Sequence, residues 1–258
     1  MITFLTYLLL LFVCVPFMFS RGYAISEGLN FWLYSALMGF LGSLGNFFLV
    51  KSLKKGDLSV IGPINSYKSV IGLILGIFFL HEIPNLYGLL GMALIFWGSY
   101  FILDTTKERF SFELLKNKEI QYRFYSLLFC ATEAIVIKKV ILMSGTWDAF
   151  VSWCLFGAVF SALLFVFEKI DLIEEFNILK SRNSTHIVKL VVCMGIMQYT
   201  TNYVFAHMNV GYALSLFQLS SVLSIVFGYK IFKEQNIIPR LTGSLIMVAG
   251  AVVIILLN

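Results

Sequence analysis

A single charged residue, Lys68, interrupts an otherwise uncharged stretch from Leu58 to Leu80. If this stretch lies in a membrane, a cation near the bilayer centre costs on the order of 3 kcal/mol on insertion scales, so the ammonium group must face protein or water. Asn65 and Ser69 lie on neighbouring turns, and Tyr67 adds an aromatic hydroxyl. The group can therefore attract an anionic or zwitterionic solute into a polar cavity.

A second interpretation of Lys68 stays open on the sequence. Glu133 is the one carboxylate deep within another apolar run, so the two side chains could form a buried ion pair. The lysine could also extend its own apolar stem towards the membrane surface. A substrate site and an internal counter-ion can be the same pair at different steps, which favours the cavity interpretation.

Polar side chains recur at helical spacing in three further apolar runs. Gln198 with Asn202, and Tyr199 with Tyr203, are four residues apart and predict two neighbouring strips on one helix. The other members of this candidate cavity lining are Asn46, Gln218 and Ser221. Polar strips in a membrane helix turn inward, where each side chain either lines a wet interior or hydrogen-bonds between helices.

The composition identifies the environment that these side chains require. The chain has 258 residues, 59% of them hydrophobic and 13% charged, with a mean hydropathy of +0.89. Such a chain is a membrane protein with many spans. Its net charge of +5 does not indicate nucleic-acid binding, because the basic residues lie in short gaps between apolar runs.

The cysteines and histidines offer no motif for metal binding or catalysis. The four cysteines lie inside apolar runs, outside any CxxC pair, and are interpreted as small buried apolar residues. The chain contains no Walker, HExxH or GxSxG motif, so neither direct use of ATP nor intramembrane hydrolysis is predicted. No cofactor and no metal are expected, and the first twenty residues are interpreted as a membrane helix and not as a signal peptide.

Apolar runs of about 18 to 24 residues, each bounded by charges, define the elements that must position the candidate residues. They predict an all-α membrane protein with nine transmembrane helices, at residues 2–20, 30–50, 57–80, 85–103, 122–142, 147–167, 186–207, 210–232 and 238–257.

The sequence also repeats itself internally. With an offset of 152 residues and no gap, residues 69–98 match residues 221–250 at seven positions. The matched pairs are Ser69/Ser221, Val70/Val222, Gly76/Gly228, Glu82/Glu234, Leu89/Leu241, Gly91/Gly243 and Gly98/Gly250. The third and fourth spans thus correspond to the eighth and ninth. An offset of five spans is odd, so the two copies must cross the bilayer in opposite directions, as in many secondary transporters.

The repeated segment resembles the end of the EamA domain of the drug/metabolite transporter superfamily. SVIGLILGIFFLHEIPNLYGLLGMALIFWGSYFI and its second copy SVLSIVFGYKIFKEQNIIPRLTGSLIMVAGAVVII each have a helix, a Glu-containing turn and a Gly-punctuated final helix. The resemblance implies a first repeat at residues 1–104, a connecting loop at 105–121 and a second repeat at 122–258. It also implies structural or gating roles for Glu82, Glu234, Gly91 and Gly243.

Two features depart from that family's pattern. The family has ten helices, so a first helix is expected to be missing here. Lysines and arginines in alternate connections are also strongly biased to one side, which predicts a cytoplasmic N-terminus and an external C-terminus.

The resemblance implies a secondary transporter in the cell membrane that moves a small organic solute, such as an amino acid, a metabolite or a drug-like compound, by alternating access. The expected partners are that solute, the lipid bilayer and protons as a candidate coupling ion, and the protein is expected to be a monomer and not an enzyme. A carrier of a nucleotide sugar or lipid-linked polar molecule, or a non-transporting membrane assembly protein, is the alternative.

Overall fold

The structure, a computed structural model, describes residues 2–20, 28–53, 67–103, 118–168, 184–220, 223 and 237–257. These residues form nine α-helices and one 3-10 helix, and no strand occurs among them, which confirms the all-α class. The helices are α1 (Ile2–Ser20), α2 (Leu29–Leu53), α3 (Tyr67–Leu80), α4 (Leu86–Leu103), α5 (Lys118–Ser144), α6 (Thr146–Glu168), α7 (Ser184–His207), α8 (Val210–Leu216) and α9 (Ile237–Leu257), and the 3-10 helix is Phe217–Leu219.

Most predicted spans coincide with a helix, but the eighth differs. It was expected as one continuous helix over residues 210–232. The α-helix Val210–Leu216 passes into the 3-10 turn Phe217–Leu219, after which Ser220 and Leu223 are again α-helical. Short 3-10 stretches of this kind occur both within and at the ends of α-helices. The apolar run predicted a helical segment but does not distinguish α-helical from 3-10 hydrogen bonding. Residues 224–232, like the first ten residues of the predicted third span, lie outside the described parts of the chain.

Two helices in the described ranges are long and apolar enough to cross a membrane, namely Leu29–Ser52 and Thr146–Phe167. Thr146–Phe167 has a mean hydropathy of 2.3 over its most apolar window. Shorter apolar helical segments of 10–17 residues occur at Thr3–Pro16, Tyr67–Leu80, Leu86–Ser99, Val210–Leu219 and Thr242–Leu257. Spanning is therefore supported by length and composition for two helices, and the nine-span arrangement stays a prediction.

The chain forms two compact units that do not follow its linear order. Unit 1 comprises Met1–Asn46 and Val136–His207, and unit 2 comprises Phe47–Ile135 and Met208–Asn258. Unit 1 contains α1, α6 and α7, unit 2 contains α3, α4, α8 and α9, and the helices α2 and α5 contribute to both. Each unit thus combines helices from both predicted repeats, while the division into residues 1–104 and 122–258 stays a prediction.

Within unit 2, α4 and α9 pack closely through the repeated glycines. A Cβ added to Gly91 would lie 2.7 Å from the Gly250 carbonyl oxygen, and one added to Gly98 would lie 2.5 Å from the Gly243 carbonyl oxygen. The helices therefore run antiparallel with their backbones in contact, as small residues permit in membrane bundles. In the repeat, Gly91 corresponds to Gly243 and Gly98 corresponds to Gly250. The contacts are therefore crossed, because Gly91 meets the counterpart of Gly98, and Gly98 meets the counterpart of Gly91.

Candidate functional site

Lys68 is the second residue of α3, and its side chain is half-buried. The Cys130 thiol on α5 interacts electrostatically with both the Lys68 ammonium and the Glu133 carboxylate. Cys130 and Glu133 are three residues apart and share one face of α5. The structure therefore brings the predicted cation and carboxylate to the same part of unit 2.

The residues beside Lys68 have different surroundings. Ser69 is buried in α3, whereas the Tyr67 side chain is 41% exposed and packs edge-on against Phe96 of α4, with ring centroids 5.6 Å apart. Asn65 lies outside the described residues. Ser69 is thus the one buried side chain among the described predicted members of this segment, and Lys68 is half-buried.

The predicted strip of amides on α7 lies inside unit 1. Asn202 is fully buried, and its Oδ1 accepts a hydrogen bond of 3.0 Å from Gln198 Nε2. The Asn202 Nδ2 in turn donates to the Thr146 carbonyl oxygen at 3.3 Å, at the start of α6. The Asn202–Thr146 bond joins α7 to α6, whereas the Gln198–Asn202 bond lies within α7 and orients the Asn202 amide. This supports the packing interpretation for Asn202.

The neighbouring strip on α7 has a different exposure. Tyr199 and Tyr203 are 40% and 58% exposed. The Tyr199 ring contacts Trp147 and Phe150 edge-on, with centroids 6.2 Å and 5.9 Å away, and the Tyr203 ring lies 4.3 Å from the His207 ring. The division of α7 into two strips is as the four-residue spacing predicted.

Removing the Asn202 amide is expected to destabilise the protein. Asn202→Leu leaves the Gln198 amide and the Thr146 carbonyl without this buried partner, at a cost of about 1–3 kcal/mol. The thermal unfolding midpoint in detergent should fall, and Thr200→Val is the matched control, because the Thr200 hydroxyl bonds only to carbonyls of its own helix in the structure and is exposed. An unchanged midpoint for Asn202→Leu would contradict the interhelical role.

The remaining predicted cavity residues are dispersed. Asn46 Nδ2 donates to the Tyr7 hydroxyl at 3.3 Å within unit 1. Gln218 is half-buried in the 3-10 helix of unit 2. Ser221 and the predicted gating residue Glu234 lie outside the described residues.

Glu82 lies in the turn between α3 and α4. Its Oε2 accepts a hydrogen bond of 2.8 Å from the backbone N–H of Val210, which is the first residue of α8. The following helix, α4, is capped by Asn85, whose Oδ1 accepts a 2.6 Å hydrogen bond from the Gly88 backbone N–H. A carboxylate at a helix N-terminus is favoured by the exposed N–H groups there.

A second contact joins the same turn to α8. The Tyr212 hydroxyl accepts a hydrogen bond of 2.9 Å from the Asn85 backbone N–H. A Cβ added to Gly88 would overlap the Tyr212 ring, so glycine is required for this approach. His81, which comes directly before Glu82 in this turn, has a φ of 56°, a left-handed backbone conformation that is uncommon for a non-glycine residue. The turn is therefore held on α8 by two hydrogen bonds and one close packing contact.

Substitutions of Glu82 should show the strength of this contact. Glu82→Ala removes a charge-assisted hydrogen bond to a backbone N–H and is expected to destabilise the protein by about 1.5–3 kcal/mol. Glu82→Gln keeps an acceptor oxygen without the charge, so its loss should be smaller. Thermal unfolding of the purified variants in detergent gives the order, and an Ala variant as stable as the wild type would contradict it.

Lys138 is a buried cation that is not among the residues predicted to line a cavity. The structure places it in α5 of unit 1 with only 8% of its side chain exposed, among buried neighbours such as Ile137 and Val140. Burying an ammonium group is costly unless it is paired. Its position six residues before the helix end, within the apolar run IVIKKVILM, is the signal that could have identified it.

Comparisons with known proteins agree with this architecture. No curated protein matches the sequence. A solved structure titled only "Crystal structure of protein" has the same fold, with a TM-score of 0.75 and 17% sequence identity, over 99% of this chain and 86% of that one. Residues 1–104 match the EamA-like transporter family, a family of membrane transport proteins. This match over residues 1–104 confirms the resemblance predicted from the repeated segment.

Proposed function

We propose that the protein is a multi-pass secondary transporter of the cell membrane that moves a small organic solute, such as an amino acid, a metabolite or a drug-like compound, by alternating access. The family match over residues 1–104 is the observation that carries this proposal. A match to a transporter family favours transport over an enzymatic reaction.

The symmetry required for alternating access has support inside unit 2. The crossed contacts Gly91 with Gly250 and Gly98 with Gly243 are those expected across a two-fold axis that relates two copies of one helix. In inverted-repeat transporters such an axis lies in the membrane plane, and the two copies exchange conformations when access changes sides. The contacts thus favour an inverted repeat built from α3–α4 and α8–α9.

Lys68 is the proposed solute-binding group, with Glu133 as its internal counter-ion. Both groups lie near the Cys130 thiol, and this shared neighbourhood supports a role for the carboxylate in neutralising the ammonium when no solute is bound. An anionic or zwitterionic solute would then replace Glu133, and a proton taken up by the released carboxylate would couple transport to the proton gradient.

A metabolite-wide comparison of export and uptake tests the proposal. Cells with and without the protein are incubated with a defined mixture of amino acids, metabolites and dyes, and the medium and cell extract are quantified by mass spectrometry. Protein-dependent movement of a compound of this class supports the proposal, and it should depend on the proton gradient. Movement of a nucleotide sugar or lipid-linked molecule, or of no compound, would favour the carrier or assembly alternatives instead.

A reporter fused at Asn258 determines orientation independently. The charge bias predicts that the C-terminus is external, so an alkaline phosphatase fusion, which is active only outside the cytoplasm, should be active. An active cytoplasmic reporter at this position would reverse the proposed orientation.

A further inference from the structure

Two cysteines of unit 1 are paired in the structure without being bonded. Cys14 lies on α1 and Cys154 on α6, both are free cysteines, and each thiol is the main electrostatic partner of the other. The two residues are only 3% and 0% exposed. Residues 140 positions apart in the chain are thus brought close together in the buried interior of unit 1.

The helices around the pair are closely packed, and this packing restricts the movement of the two cysteine side chains. The Tyr7 and Trp153 rings have centroids 4.5 Å apart, and those of Phe4 and Phe165 are 5.5 Å apart. A Cβ added to Gly157 would lie 2.6 Å from the Tyr7 ring. These contacts show α1 and α6 running antiparallel, with backbones close enough for short side chains such as cysteine to meet across the interface.

We infer that Cys14 and Cys154 form an oxidation-sensitive pair, which a membrane-permeant two-electron oxidant converts into a disulfide that ties α1 to α6. In this step two S–H bonds break and one S–S bond forms. The two sulfur atoms are oxidised, and the two electrons and two protons pass to the oxidant. A lipid-soluble quinone is the class of oxidant that reaches such a site, because it dissolves in the bilayer. It accepts the two electrons and the two protons as it becomes a quinol.

The burial of the pair favours a disulfide over a metal complex. Two thiolates around a monovalent soft metal ion would leave a net negative charge in an apolar interior, which is costly. A disulfide is neutral and apolar, so it forms without burying charge. The other cysteines differ, because Cys130 is half-buried on α5 and Cys193 is exposed on α7, against the expectation that all four are buried.

The test uses the full chain carrying Cys130→Ser and Cys193→Ser, so that only the pair remains. The purified protein in detergent is treated with diamide, a permeant two-electron oxidant, then denatured and labelled with a maleimide to count free thiols. We expect the count to fall from two to zero and to return to two after treatment with dithiothreitol. Peptide mapping should show one cross-linked peptide containing both cysteines, with a mass loss of two hydrogens.

Matched variants and a second measurement make the result specific. Adding Cys14→Ser to this chain should leave one free thiol after diamide, without intramolecular cross-linking. The cross-link should also raise the thermal unfolding midpoint of the oxidised protein by several degrees relative to the reduced one, because it restricts the unfolded chain. Two thiols that persist after diamide, or cross-links found only between molecules, would overturn the inference.

Discussion

Replacing Lys68 by methionine is expected to abolish most of the solute flux while leaving membrane insertion and folding intact. Methionine keeps the length and apolar stem of the side chain and removes only the ammonium group. A hydrogen bond to a charged group contributes about 1.5–3 kcal/mol, which corresponds to a roughly ten- to hundredfold loss of affinity. Flux measured in vesicles below saturation, with a solute identified by the export comparison, should fall by a similar factor.

Lys139→Met is the matched control for that experiment. Lys139 is also a half-buried cation on a helix, but its ammonium group lies over the Tyr34 ring, 5.0 Å from the centroid. Its replacement should leave flux close to that of the wild type, with both variants recovered in equal amounts. Normal flux through the Lys68→Met protein would remove Lys68 from the solute site, whatever the result for Lys139.

Placing a methyl group on Gly91 is expected to destabilise the protein. Its Cβ would lie 2.6 Å from Ile254 Cγ1 and 2.7 Å from the Gly250 carbonyl oxygen, so α4 and α9 must move apart. Overpacking of this kind costs about 1–3 kcal/mol, and the loss of close backbone contact removes van der Waals attraction that holds membrane helices together. Gly91→Ala should therefore lower the thermal unfolding midpoint by several degrees.

Two further variants show whether the crossing of α4 and α9 is responsible. Gly28→Ala is the control, because an added Cβ there meets no atom within 4 Å, and it should leave the midpoint unchanged. Gly91→Ala combined with Gly250→Ala should cost less than the two single losses added together, since one methyl already separates the helices at the shared contact. Additive losses, or a Gly91→Ala protein as stable as the wild type, would contradict the close crossing.

Several predictions depended only on chemistry carried by the chain itself. A run of apolar residues must become a helix in a membrane, because its backbone groups have no water to bond. The bounds of α1, α2 and α4 to α7 therefore followed from the positions of charges. The four-residue spacing on α7 likewise predicted that Gln198 and Asn202 lie apart from Tyr199 and Tyr203, since a helix places such residues on one face.

Other features depend on contacts between segments distant in the chain. Glu82 was predicted to have a structural or gating role, but its bond to Val210 joins residues 128 positions apart, so the local sequence does not identify its partner. The burial of Lys138 and the meeting of Cys14 with Cys154 have the same origin. The residue pattern of one segment does not indicate which faces of different helices will pack together.

By itself, the sequence determined that this is an all-helical membrane protein, with a repeated glycine and glutamate pattern, and it predicted an EamA-like first repeat. Apolar length and the spacing of rare residues suffice for that, because both are local properties. Only the tertiary structure decided that the repeated glycines pack in crossed pairs, that Asn202 of α7 bonds to the start of α6, and that Lys68 and Glu133 both lie near the Cys130 thiol. Those outcomes depend on how side chains from separate helices share space, which is a property of the packed bundle and not of any one segment.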